Sequence, residues 1–509
     1  MTPANLQPQT SPRPLHWDPF VTTLQEVLGE DTRHVYLVGG VVRDAFWGTP
    51  VKDFDLAVSD HAFAIARKIA NKLDGAFYKL DSERGTGRTI LEHEGRPIIV
   101  DVATFRGPVF GSENDPDLLA DLQGRDFTLN AVAAPLAGEL TTVIDPMQGL
   151  ADMQQRILRR CSPAAISSDP IRAIRAVRMC VRFKLRMEPA TLADVRAYGP
   201  ALTQTSPERV RDEFMALLSG RNPAAALRTL DALDLLELIM PEVGPLRDVA
   251  QSPPHQYDVW THTLRTVEQL TGILQTISPQ RSDNTAAQAS LGMIVYYLDK
   301  YRAQLQEHLT QVWPNDRPHT GLLMLAALLH DSGKPATRSE NEGRIQFITH
   351  EHESTTLAEE RAAMLRLSNQ ESKRLQAIIR HHMRPHQLAA QGISRRAVYR
   401  FWRACGPAGI DVCLHALADY LATNGAALSP DKWGDYLLTI DTLLAGYLGD
   451  EQVNVTQLPK LVTGKDLMKV FTLESGPHIG ELLELIHEAQ AANEIHTREE
   501  ALDLARQNL

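Results

Sequence analysis

Short β-rich runs occupy one stretch of this chain and then stop, and that break limits the folds open to it more than any other feature. Val35–Val38, Phe54–Val58, Ile98–Ala103 and Val143–Ile144 read as strands, and Ala62–Leu73 reads as a helix among them. Beyond about Leu150 helical periodicity dominates, punctuated at Gly199-Pro200, Gly220–Pro223, Pro241–Pro245 and Ser252–Pro254. The expected class is therefore α+β, a head with a small mixed sheet followed by all-helical parts. A chain of 509 residues exceeds what one core usually serves. Cuts near Leu150, Gly244 and Ala427 give a head over 21–150, a helical neck over 151–244, a third helical domain over 245–427 and a helical tail domain over 428–509. The stretch Gln275–Thr320, polar at its edges, reads as an insertion between two helical segments.

The longest apolar runs, such as Gly321–Leu329, fall far short of the roughly 20 residues that cross a bilayer. Met1–Pro19 is rich in Pro, Gln and Thr and lacks the charged start and apolar middle of a signal peptide, so residues 1–20 are expected to be a loose tail on a cytoplasmic protein. Cys161, Cys180, Cys405 and Cys413 show no CxxC spacing and read as buried thiols. The net charge of −11 speaks against wholesale binding of nucleic acid, but its distribution is uneven. Between Arg156 and Arg186 stand nine Arg or Lys residues and one acid, Asp169. That is a local stripe suited to gripping phosphates.

The head carries the first chemical motif. A strand ending in Gly39-Gly40 and passing into a helix lets backbone N–H groups approach a triphosphate, with Arg43 in the first turn adding positive charge. Asp53 and Asp55 flank Phe54 on a strand, so both carboxylates share one face while Phe54 turns to the core. Two such charges repel, and Mg²⁺, which favours carboxylate oxygens, resolves the repulsion. Asp101, after the apolar run Ile98–Val100, offers a third carboxylate from a neighbouring strand. Metals held this way can align an attacking hydroxyl with a leaving pyrophosphate. In the neck, Pro170 suits the first turn of a helix, and Asp169 and Arg172 then fall three apart on one face. A carboxylate accepts from the exocyclic amine of cytosine or adenine while a guanidinium donates to the ring acceptor beside it. Uracil and guanine meet mismatched partners there.

Leu37-Val-Gly-Gly-Val-Val-Arg-Asp44, Asp53-Phe-Asp55 and Arg125-Asp-Phe-Thr-Leu-Asn-Ala131 together resemble the class II tRNA nucleotidyltransferase and bacterial poly(A) polymerase family. The resemblance implies a Mg²⁺-dependent enzyme that adds nucleotides from CTP and ATP to a tRNA 3′ end without a template. It assigns Gly39, Gly40 and Arg43 to the triphosphate, Asp53 and Asp55 to the metal, and Arg125 with Asp126 to the ribose. Gly124 stands where many members have a further arginine. Ser168-Asp-Pro-Ile-Arg172 is similar to the family's nucleotide-selecting motif, with Ser168 where Glu is usual, and Arg175 matches an additional nucleotide contact. The short segment between Arg106 and Asp121 resembles members that add only CC; CCA, terminal A and poly(A) are the other products in the family.

His262, His330-Asp331, His350, His381-His382 and Asp419 lie on successive helical segments, and such a set can converge on a divalent metal, with mixed N/O ligation suiting Mn, Ni, Fe or Zn. This half resembles the HD-superfamily phosphohydrolases. The resemblance implies ligation by His262, His330, Asp331 and Asp419, a second metal or phosphate contacts at His350, His381 and His382, and hydrolysis of a phosphoester on an RNA end. The opposite reading makes the HD half the principal enzyme and the head a nucleotide sensor. An RNA-binding adaptor, built on the basic neck alone, leaves the paired carboxylates unexplained.

Overall fold

The computed structural model describes residues 8–51, 53–82, 85–105, 118–279, 288–450, 454–455 and 458–509. They form two compact units that divide between Thr205 and Ser206, within the stretch read as the neck. Each builds its own site.

The first unit holds β1 (Gln9–Thr10), β2 (Val35–Val38), β3 (Asp53–Val58), β4 (Ala76–Asp81), β5 (Thr86–His93), β6 (Arg96–Thr104), β7 (Ala133–Pro135) and β8 (Thr142–Val143). Six of them make one mixed sheet in the order β4-β5-β6-β3-β2-β7. Within it β3 and β6 run parallel, and the other neighbours are antiparallel. The helices α1 (Phe20–Leu28) and α3 (Ala62–Lys72) cover one face. Phe20 of α1 meets Phe54 edge-on at 5.0 Å between ring centres, and Thr89 Oγ1 donates to Ala66 O of α3 at 2.7 Å. Phe20 and Phe54 are wholly buried, each contributing roughly 1.5–3 kcal/mol. Alternation along the strands then turns Asp53 and Asp55 to the opposite face.

The loose tail expected over 1–20 is corrected for residues 8–20. β1 pairs antiparallel with β8, Trp17 Nε1 donates to Leu140 O at 2.8 Å, and Arg13 stacks over the Phe46 ring. One aromatic and one arginine find partners far along the chain, which composition alone does not show. The strands β4, β5 and β7 were not among those read from the sequence. β4 lies at the sheet edge, where most of its residues are exposed and the apolar alternation is lost. Strands also persist beyond Leu150. Ile157–Leu158 pairs in parallel with Arg186–Met187, Val312–Trp313 pairs with Arg317–Pro318, and Arg338–Asn341 forms a hairpin with Arg344–Phe347.

The second unit is otherwise helical. Its centre is the helix His319–Leu329, buried at every residue except Thr320, because its sequence is apolar all round. The helices Val259–Ile277 and Asn369–His381 pack against it, and Gly409–Asn424 closes on Val259–Ile277. Ala289–Leu298 and Arg302–Leu309, within the stretch read as an insertion, are ordered parts of this unit. No helix among the described residues is long and apolar enough to cross a membrane.

Candidate functional site

In the first unit a cavity of about 650 Å³ opens on the uncovered face of the sheet. Its floor follows from register. Asp55 on β3 lies opposite Asp101 on β6, and Asp101 lies opposite Arg88 on β5. Cross-strand partners share a face, so the three side chains form a row, with Asp53 beside it. Arg88 grips Asp101 through both carboxylate oxygens, at 2.8 Å each. Burial pushes the Asp55 carboxyl up to about 6, and the charges of Asp101 and Asp53 push the same way against Arg125 and Arg43. Three carboxylates on one wall, one of them reluctant to ionise, form a donor set that a divalent cation fits and relieves.

At the end of β2 the chain turns into α2 (Gly40–Trp47) through Gly39, whose φ is +70°. A Cβ at Gly39 would lie 3.1 Å from Arg125 Nη1 and 3.3 Å from Asp55 Oδ2, so glycine keeps the carboxylates accessible from that side. Arg43 lines the cavity but is also a brace. Its Nε donates to Asp44 Oδ1 and its Nη1 to Asn130 Oδ1, both at 2.8 Å, and its guanidinium stacks on Phe183 at 4.6 Å. Arg125 donates twice to Asp121 Oδ2, at 3.0 and 2.8 Å.

The helix Ile171–Phe183 supplies the opposite wall. Ile171, Ile174 and Val177 are buried, while Arg172, Arg175, Arg178 and Arg182 line the cavity. Asp126 accepts from Phe127 N at 2.8 Å, Asn130 Nδ2 at 3.0 Å and Arg175 Nη1 at 3.2 Å. Burial would raise its carboxyl, but Arg175 and these hydrogen bonds hold it below the ordinary value. Asp126 thus positions Arg175 and ties the turn to the helix. Arg172 is fixed by the carbonyls of Gly124, Arg125 and Ala165 at 3.1–3.3 Å, and its Nε stands 3.8 Å from Asp169 Oδ2. Sequence reading missed Arg88, Asp121, Asn130, Arg178 and Arg182. Arg178 and Arg182 continue the helical spacing begun by Arg172 and Arg175, a signal that was present.

In the second unit the apolar helix His319–Leu329 ends by delivering His330 and Asp331 to a buried cluster. His262, His330 and Asp419 form one triad of converging ligand atoms, and Asp331, His350 and His382 form another. Asp331 stands between them, Oδ2 3.1 Å from His330 Nε2 and Oδ1 3.2 Å from His350 Nε2. The Nδ1 atoms of His330, His350 and His382 lie 2.9, 2.8 and 2.7 Å from the carbonyls of Ala327, Phe347 and Ile379. In a neutral imidazole, the form that burial favours at His382, donation there leaves Nε2 a bare lone pair, and His350 Nε2 faces His382 Nε2 at 3.2 Å. Opposed lone pairs at that distance repel, and a cation between such donors removes the conflict. Gly333 is required: a Cβ there would lie 2.5 Å from His350 O and 2.6 Å from Ser354 N.

His381 does not join this cluster. Successive helical residues point about 100° apart, and His381 turns toward Glu351, His352, Arg380 and Arg384. His386, whose Nε2 is 2.9 Å from Asp419 Oδ2, and Lys334, whose Nζ is 2.7 Å from Asp331 Oδ2, were not read from the sequence. A separate group, His308, His319 and Asp411, differs in kind. Both imidazole Nε2 atoms face Asp411 Oδ1, at 2.7 and 2.8 Å, and Arg374 holds Oδ2 at 3.1 Å. Every carboxylate oxygen is satisfied, so this is a structural network.

Family models match along most of the chain: the poly(A) polymerase head domain over 35–159, the RNA- and SrmB-binding site of polymerase A over 184–246, the HD domain over 259–424 and the tRNA nucleotidyltransferase domain 2 over 445–505. The A-adding tRNA nucleotidyltransferase of Deinococcus radiodurans is 32% identical over 476 residues, covering 91% of this chain and 93% of that one. The chain belongs to the class II CCA-adding enzyme and poly(A) polymerase family. It is thus an RNA nucleotidyltransferase with an HD domain, and divalent-metal dependence follows from both domains. A CC-adding tRNA nucleotidyltransferase of Geobacter sulfurreducens is 26% identical, with 92% of this chain and 90% of that one covered. The fold matches that of a Thermotoga maritima CCA-adding enzyme complexed with tRNA, with TM-score 0.55, 20% identity and coverage of 97% and 98%.

Proposed function

We propose that this enzyme transfers CMP, AMP or both from CTP and ATP to the 3′ end of tRNA without a template. The observation that carries the reading is the row of Asp53, Asp55 and Asp101 facing the arginine-lined wall of one cavity. The RNA 3′-hydroxyl attacks the α-phosphorus, the new O3′–P bond forms and the bond to pyrophosphate breaks. Mg²⁺ bound by Asp53 and Asp55 would supply charge for the attacking and leaving oxygens. Gly39, Gly40, Arg43 and Arg125 hold the nucleotide's phosphates and ribose, Asp126 sets Arg175, and Asp169 with Arg172 selects C and A by their amine-and-acceptor edges.

Two observations favour different products. The A-adding relative is more similar, at 32%, than the CC-adding one at 26%. The short segment between Arg106 and Asp121 favours CC, and its residues 106–117 lie outside the described residues. Incubation with tRNA lacking CCA, tRNA ending in CC and an unstructured RNA, each with one of the four nucleoside triphosphates, decides between them. Incorporation of C or A into a tRNA is expected; labelling only of the unstructured RNA, or acceptance of UTP and GTP equally, overturns the reading.

The Asp55 carboxyl at about 6 also sets a pH dependence. Protons compete with the cation below that value, so half-saturating Mg²⁺ is expected to rise up to about tenfold per pH unit below pH ~6 and to level off above pH ~7. A raised folded value means the folded state binds the proton more tightly. Asp55 therefore lowers metal-free stability as pH climbs from 3.8 toward about 6. A half-saturating concentration independent of pH contradicts the assignment.

A further inference from the structure

The row of side chains that holds the carboxylates does not end at Arg88. On the edge strand β4, Tyr78 lies opposite Arg88, so Tyr78, Arg88, Asp101 and Asp55 stand in line across four strands. The other face of β4 is occupied. Phe77 meets Phe63 of α3, and Lys79 lies over the Phe63 ring. Tyr78 therefore stands on the carboxylate face of the sheet, beyond the residues that line the cavity, and is 54% exposed. Beside it the register slips between Lys79 and Asp81, leaving Leu80 at a bulge. Bulges re-aim side chains, often next to active sites; Leu80 lines the cavity while 51% exposed. An exposed aromatic ring and an exposed aliphatic side chain at the end of the carboxylate row offer a surface on which a flat, apolar group can lie.

The direction of the reaction names that ligand. The turn Gly39-Gly40, assigned to the triphosphate, follows β2, on one side of the carboxylates, whereas β4 is on the other side. In-line displacement places the attacking oxygen opposite the leaving pyrophosphate. The acceptor RNA must then arrive from the β4 side. Two strand spacings, roughly 10 Å, separate Tyr78 from Asp101, a span that one nucleotide bridges with its hydroxyl at the carboxylates and its base at the ring.

We propose that Tyr78, flanked by Leu80, is the stacking platform for the 3′-terminal base of the acceptor RNA. The inference rests on the nucleotidyl-transfer reading above. A ring platform tolerates any base, as an enzyme extending successive 3′ ends requires. The test uses a tRNA acceptor-stem hairpin whose last nucleotide is 2-aminopurine, a base whose fluorescence falls on stacking. Full-length enzyme is expected to quench it, Tyr78→Ala to lose the quench, and Tyr78→Phe and Tyr78→Trp to restore it. In the incorporation assay, KM for RNA rises about tenfold in Tyr78→Ala, while KM for the nucleotide stays in place. Circular dichroism and the melting temperature confirm that the variant folds. Quenching that survives in Tyr78→Ala overturns the proposal, and so does an effect on nucleotide KM alone. If the unaltered enzyme incorporates no nucleotide into any RNA, the transfer reading itself fails, a result separate from the quenching.

Discussion

Replacing Asp53 and Asp55 together with alanine is expected to abolish nucleotide incorporation, a loss of about a thousandfold or more, while the protein stays folded. The size follows from the work asked of the pair. Two carboxylates locate the charge that serves both the attacking and the leaving oxygen, and several kcal/mol of such stabilisation corresponds to three or more decades in rate. Folding survives for the opposite reason. Asp53 is exposed, and Asp55 keeps part of its surface open to the cavity even though its surroundings shield the carboxyl group. In the absence of a cation the two push against each other and against Asp101, so their removal relieves repulsion. The melting temperature of the metal-free variant is expected to match or exceed that of the unaltered protein at neutral pH. Incorporation measured with labelled CTP and ATP, alongside thermal unfolding with and without Mg²⁺, checks both halves. Retained incorporation would overturn the assignment of the site, and a collapsed fold would overturn the electrostatic account.

The residues that could be read in advance share a physical signature. Asp53 and Asp55 were legible because period-two alternation puts acids on one face only if the residue between them is core, and Phe54 is wholly buried. Asp101 was legible as the polar end of an apolar strand. Its partner Arg88 was not, because β5 was not read as a strand; the two-residue turn Glu94-Gly95, with positive φ at both residues, fixes the register of β5 on β6 and was the signal that could have set Arg88 opposite Asp101. The same limit hid Tyr78. Among the histidines, local sequence cannot say which of His381 and His382 turns inward; the phase of the helix decides, and it buries His382. His386 and Lys334 reach the HD cluster through tertiary packing, and neither stood out among the many ordinary charged positions. Fold class survived these gaps because it depends on periodicity summed over many residues, whereas each site contact depends on one.

The second large effect is expected at the HD cluster, and it separates the two halves of the molecule. Under the reading of the HD half as a metal-dependent phosphohydrolase, His330→Ala and Asp331→Ala are each expected to lower divalent-metal content and to reduce hydrolysis of RNA ending in a 2′,3′-cyclic phosphate by about a thousandfold or more. Incorporation of CMP or AMP should stay within about twofold, because the carboxylate row lies in a different compact unit. The metal argument stands on donor geometry. Three imidazoles direct Nδ1 at carbonyls and turn Nε2 inward, the arrangement that orients ligating histidines. Asp331 belongs to one triad and reaches His330 of the other, so its loss is expected to release more metal than the loss of His262. Metal content by elemental analysis tests this without reference to activity, and equal retention in all three variants would refute the ligand set. Hydrolysis is the sharper discriminator between readings of the chain. If Asp53→Ala/Asp55→Ala kept the principal activity and His330→Ala lost it, the HD half would be the main enzyme and the head a nucleotide sensor. The opposed lone pairs of His350 and His382 make a metal-bearing HD site the expected result, and the carboxylate row makes incorporation independent of it.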